Sequence, residues 1–113
     1  MDMLSREDIL KTEFSPEFIK HMQNSMEMGF YMKGPVRKTY PELAQAWKCI
    51  EDRLHKYLET HNTEWLVDIA NFAMIEYMRP SFSNARFFPT PASESPGLAN
   101  GISYNELMRE TEE

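Results

Sequence analysis

The chain has 113 residues, 42% apolar and 27% charged, with 12 basic against 18 acidic side chains and a net charge of −6. That is the composition of one soluble domain with room for a single core, and its acidic balance argues against a DNA binder, which carries a basic stripe. The single cysteine, Cys49, excludes an intramolecular disulfide and a thiolate-built zinc site. No apolar run is long enough to span a membrane. The opening Met1-Asp2-Met3-Leu4-Ser5-Arg6 lacks the basic and apolar regions of a secretory signal, so a cytoplasmic location is expected.

In chain order, Ser5 followed by Glu7 and Asp8 predicts a short helix over Arg6 to Thr12, capped by the serine. Ser15-Pro16-Glu17 opens a second, with proline at the first helical position. Phe18, Met22, Met26 and Phe30, with Ile19 beside them, make its apolar stripe, and Gly34-Pro35 ends it. Tyr40-Pro41-Glu42 reads as the start of a third. Its stripe is Leu43, Ala46, Trp47, Ile50, Leu54, Tyr57 and Leu58, opposite Lys48, Asp52, His55, Lys56 and Glu59. His61-Asn62 is the expected stop, with the asparagine left-handed.

Thr63 is expected to cap the fourth helix. Leu66, Ile69, Ala70, Ala73, Met74 and Tyr77 form one face, while Trp65, Phe72 and Met78 put apolar surface on other sides. A helix apolar on most sides is central in a bundle or buried between subunits. Arg79-Pro80 ends it. Residues 81–113 then read as an extended proline-rich arm. Phe82, Phe87 and Phe88 should anchor it on the bundle or on a second subunit. Ser103-Tyr104-Asn105-Glu106 is a capping box opening a short helix through Glu110. The expected fold is all-α: a bundle domain over residues 1–80 with three main helices, two short helices in all, and the arm, assembled as a homo-oligomer.

Three constellations carry possible chemistry. Glu64 and Asp68 share a helix face, with Asn71 three residues on and Glu76 two turns past Asp68. Carboxylates grouped in this way suit Mg²⁺, which keeps water and substrate phosphate as its other ligands. The plainer reading is that Glu64 satisfies the helix N-terminus and Asp68 pairs with Arg53 or Lys56. Glu51, Asp52, His55 and Glu59 fall on adjacent turns, as metal ligands or as a solvated charged face. Lys33, Arg37 and Lys38 flank Gly34-Pro35, as a phosphate-receiving turn or as a polar loop. Cys49 lies mid-helix with no histidine within a turn, which gives nucleophilic catalysis little support.

The stretch Glu64-Trp65-Leu66-Val67-Asp68, continuing Ile69-Ala70-Asn71-Phe72-Ala73-Met74, resembles the acidic second motif of MazG-like nucleotide pyrophosphatases and related phage nucleotide-modification proteins. Glu51-Asp52-Arg53-Leu54-His55 is similar to their first motif, with histidine in place of the last glutamate, and the second motif here is one residue longer. The resemblance covers about residues 41–79. It implies a helical bundle completed by oligomerisation, with Mg²⁺ on Glu51, Asp52, Glu64 and Asp68 against a nucleoside triphosphate. Glu64 and Asp68 would be catalytic, one carboxylate activating water. Lys33, Arg37, Lys38 and Asn71 would hold the nucleotide.

Two functions from different classes are therefore expected. One is Mg²⁺-dependent nucleotide pyrophosphatase-like chemistry or nucleotide binding of phage or prophage type. The other is a non-enzymatic acidic helical interaction protein, acting on a basic protein surface as an anti-defence inhibitor or as a sponge for a nucleotide signal.

Overall fold

The computed structural model describes residues 4–91. They form α1 (Arg6–Glu13), α2 (Pro16–Lys33), a 3-10 turn (Val36–Lys38), α3 (Ala46–Thr60) and α4 (Glu64–Met78), with no strand among the described residues. The fold is all-α, as the periodicity predicts. The chain divides into two units, Met1–Ser83 and Asn84–Glu113. In the second, residues 84–91 form no helix; the Arg86 guanidinium lies 5.7 Å from the Phe88 ring centroid and donates to the Asn84 carbonyl at 3.3 Å. The rest of the expected arm, including Pro96 and the Ser103–Glu110 helix, lies outside the described residues.

The first two helices begin and end where local chemistry places them. Ser5 Oγ accepts from the Asp8 N–H at 3.1 Å, and the Asp8 carboxylate takes the Ser5 N–H in return. Ser15 Oγ accepts from the Phe18 N–H at 3.0 Å, with Pro16 first in the helix. Gly34, at φ 84°, closes α2 and donates to the Phe30 carbonyl at 2.9 Å, in a backbone state that L side chains avoid.

The third helix starts later than Tyr40-Pro41-Glu42 predicts. The Tyr40–Pro41 peptide is cis, and residues 40–43 are a turn, with Tyr40 N–H on the Val36 carbonyl at 2.8 Å. Helix α3 begins at Ala46, after an extended Gln45 whose side chain does not cap it. The Trp47 N–H donates instead to Glu76 Oε1 at 3.3 Å, 29 positions away. Glu76 also accepts from Ser81 N–H at 2.6 Å and Ser81 Oγ at 2.8 Å, so one carboxylate ties the start of α3 to the chain leaving α4. Phe82 stacks on Trp47 with centroids 6.3 Å apart and remains 56% exposed.

At the other end of α3, His61 and not Asn62 takes the left-handed position, at φ 58°. Asn62 Oδ1 accepts from the Glu64 N–H at 3.0 Å, the capping role expected of Thr63, whose side chain makes no cap bond.

Helices α3 and α4 are antiparallel. Trp47 meets Glu76, Arg53 meets Asp68, and Lys56 meets Trp65, so rising numbers on one helix face falling numbers on the other. Helix α2 packs on α4, where Asn71 Nδ2 donates to the Met22 carbonyl at 3.2 Å. Among the described residues only Ala46, Val67, Asn71 and Ile75 are buried. Three of these stand four apart on α4 and mark its innermost line.

The predicted stripes are only partly turned inward. Phe18, Ile19, Met22 and Met26 are half-buried while Phe30 is exposed. On α3, Ala46 is buried and Ile50 and Tyr57 are half-buried, but Leu54 and Leu58 are 45% and 61% exposed, and Leu43 lies in the turn before the helix and is 81% exposed. Arg53 and Lys56 take the places on the α4 side that the stripe assigned to the leucines.

Candidate functional site

The polar chemistry of the hairpin gathers around Arg53. Its guanidinium carbon lies 5.7 Å from the Trp65 ring centroid and 5.4 Å from that of Phe72, and Lys56 Nζ lies 5.5 Å from the Trp65 ring. Trp65 and Phe72 are two turns apart, so both rings face α3, and Asp68 stands between them. Its carboxylate is 3.6 Å from Arg53 Nε, an ion pair just beyond hydrogen-bonding distance. Asp52, next to Arg53 in sequence, holds its Nη1. The cation stems lie along the aromatic surface while their charges reach a carboxylate, which is how long basic side chains serve a seam between helices.

Burial pushes the Tyr40 phenol above the usual tyrosine value, with the nearby Cys49 thiol adding to the rise and Arg53 opposing it. Arg79 Nε donates to the Tyr40 carbonyl at 3.4 Å, holding this turn against the end of α4.

Of the sequence-predicted acidic residues, Asp52 and Asp68 meet on Arg53. Asp68 is paired with Arg53, the plainer of its two readings. Asp52 is exposed and engaged by the same arginine, and Glu51 is exposed beside it. Glu64 is exposed at the first turn of α4, its backbone N–H held by Asn62. The antiparallel pairing sets Glu64 level with Tyr57 or Leu58, about 10 Å along the helix axis from Glu51. Among the described residues no three His, Cys, Asp or Glu side chains come together as a metal group. Arg53 stands between Asp52 and Asp68 and is the cation that pairs with both. Glu76, the outlying member of the acidic series, is occupied as the cap of α3.

Lys33, Arg37 and Lys38 are exposed around the turn that follows α2. Asn71, expected beside them, is buried at 5% exposure against Met22, eleven residues back along α2 from Lys33 and about 16 Å away along the axis. A surface hollow of about 580 Å³, lined among others by Arg6, Leu10, Lys11 and Phe14, contains none of the predicted site residues.

Sequence reasoning missed Arg53 as the centre of the cluster. The signal available was paired: Arg53 and Lys56 one turn apart on α3, and Trp65, Asp68 and Phe72 at steps of three and four on α4.

The other unsatisfied feature is apolar. At about 100° per residue, Trp65, Asp68, Phe72 and Glu76 turn one side of α4 to α3, and Asn71, between Val67 and Ile75, marks the side toward α2. Leu66, Ile69, Ala70, Ala73 and Tyr77 fall on the third side. Ala73 is exposed and Tyr77 is 73% exposed. Both helices are right-handed and antiparallel, so Leu54 and Leu58 of α3 open onto this same side, away from α2. No protein-family model matches the chain, and neither a curated protein nor a solved structure matches it.

Proposed function

We propose that the protein is a non-enzymatic helical interaction module whose working surface is the outer face of the α3–α4 hairpin. The observation that carries this reading is the third side of α4, an apolar face on which Ala73 and Tyr77 are exposed and Leu66, Ile69 and Ala70 half-buried, with α3 and α2, among the described residues, packed on the other two sides. Large exposed apolar patches on a small domain mark association surfaces. The carboxylates that nucleotide chemistry would need are spread along two helices or committed to Arg53 and to the cap of α3. They serve the hairpin's structure.

A thermal-shift panel on the full chain tests this reading, using Mg²⁺ and Mn²⁺ with ribo- and deoxynucleoside triphosphates, each with and without metal. The expected result is no shift at millimolar ligand. A ligand at 100 times its Kd adds about 2.7 kcal/mol, so binding would be plain. A metal-dependent upward shift that Asp68→Asn abolishes would overturn the interaction reading in favour of nucleotide chemistry.

A further inference from the structure

We infer that the occupant of the α3–α4 face is a second copy of this chain, related by a twofold axis that passes α4 between Ala70 and Ala73. This rests on the interaction reading above and names its partner. Three observations carry it.

The first is the missing layer of core. Among the described residues only three apolar side chains are buried, and no large side chain is fully enclosed. A core this thin among the described residues is what one subunit of an obligate dimer shows when taken alone. Folded subunits that depend on each other in this way are the rule in obligate dimers.

The second is the self-complementary order of side chains along the face. Leu66, Ile69, Ala70, Ala73 and Tyr77 place two small residues at the middle of the face with large ones on either side. Antiparallel pairing about a twofold axis sets Ala70 against Ala73 of the second copy, and Leu66 against Tyr77 of the second copy, and the reverse. Such an isologous contact uses one patch twice. The two alanines let the helix backbones approach at the axis. Leu54 and Leu58 of each α3 then close over the ends, giving a four-helix layer from two hairpins.

The third is charge and extent. The third side of α4 carries no charged residue, so a net charge of −6 per chain does not oppose contact there, while a basic partner would find no carboxylate on it. The 15 residues of α4 span about 22 Å, and two helices side by side are about 20 Å wide. That outline is roughly 440 Å² taken flat, about half of the ~800 Å² per partner that a standard interface buries, and side-chain relief and the ends of the face must supply the remainder.

The test is sedimentation velocity on the full chain from about 1 to 100 μM, with two variants. The native chain should sediment as a dimer, at twice 13.3 kDa. Ala73→Glu places two carboxylates at the axis and should weaken association at least 100-fold. Ala73→Cys in a Cys49→Ala background should form a dimeric disulfide on mild oxidation, because symmetry brings the two residue-73 positions within bonding reach. The cross-link keeps the placement testable if the charged variant does not fold. A 13.3 kDa species throughout overturns the dimer. A dimer that survives Ala73→Glu, or that gives no cross-link at residue 73, overturns the placement. A monomer that also ignores metal and nucleotide removes this inference alone; a metal-dependent nucleotide shift removes the reading beneath it.

Discussion

Replacing Arg53 with alanine is the sharpest perturbation of the hairpin. The side chain is about one quarter exposed, as is its partner Asp68. It lies against two aromatic rings, at about 0.5–1 kcal/mol each for partly exposed sites. The ion pair adds about 0.5–1 kcal/mol, the range for pairs that keep some solvent. Loss of the packed aliphatic stem adds about 1 kcal/mol. The expected cost is therefore about 3 kcal/mol, and a fall in Tm of roughly 10–20 °C for a domain of this size. Arg53→Met keeps the stem and should cost about half as much. Combining Arg53→Met with Asp68→Asn isolates the pair, with a coupling of about 0.5–1 kcal/mol. Urea unfolding followed by far-UV circular dichroism reads all four corners, at one protomer concentration, since association would add to apparent stability. A cost below about 0.5 kcal/mol for Arg53→Ala, or no coupling, would refute the assignment of Arg53 and Asp68 to the seam between helices.

Four further outcomes follow from the same geometry. Glu76→Ala removes the cap of α3 and both anchors of Ser81 and should cost about 1–2 kcal/mol in thermal unfolding; a change within about 0.3 kcal/mol would contradict the capping role. Tyr40 holds its proton longer in the folded state, so stability present below the unfolded value of about 10 is lost as pH rises through the raised folded value. Tyr40→Phe should flatten that alkaline loss, and absorbance titration near 295 nm should lose its latest-ionising component. His61→Gly relieves a left-handed backbone and should stabilise by about 0.5–1 kcal/mol; a destabilised variant in urea would show that the imidazole packing on Tyr57 outweighs the backbone term. Asn71→Leu removes a buried amide whose Oδ1 has no partner and should be neutral or stabilising by about 1 kcal/mol, whereas a loss above about 2 kcal/mol in urea would mean the bond to the Met22 carbonyl fixes the docking of α2.

What could be read from sequence was local. Ser5, Ser15 and Gly34 act on backbone groups within four residues of themselves, so their roles were visible in short motifs. The start of α3 was misplaced because its capping group, Glu76, comes from 29 positions away, and no window on the sequence holds both partners. Asp68 and Arg53 were legible as a possible pair, since helical spacing puts each on a face, but whether the faces meet depends on the rotation of each helix. Asn71 shows the same limit from the other direction. It looked like a polar member of an acidic site and sits on the innermost line of α4.

That rotation of α3 has an energetic logic. Turned by about one residue, α3 would present Leu54 and Leu58 to α4 and release Arg53 and Lys56 to water. Fully burying two leucines is worth about 3–6 kcal/mol, and in the observed register much of that is left unrealised, with Leu54 45% and Leu58 61% exposed. The Arg53 and Lys56 contacts recover a comparable but not larger amount, by the magnitudes used above for Arg53. Within one chain the two registers would then compete, a poor basis for a single native arrangement. Contact with a second copy, as proposed above, would break the balance. In that dimer the observed register keeps the cation–aromatic seam inside the hairpin and buries the same two leucines between hairpins, so both terms add. The alternative register would instead bring charged side chains nearer the interface, where they must be desolvated. The orientation of α3 is thus the arrangement expected of a helix that serves two apolar surfaces, one toward α4 and one toward another copy of itself.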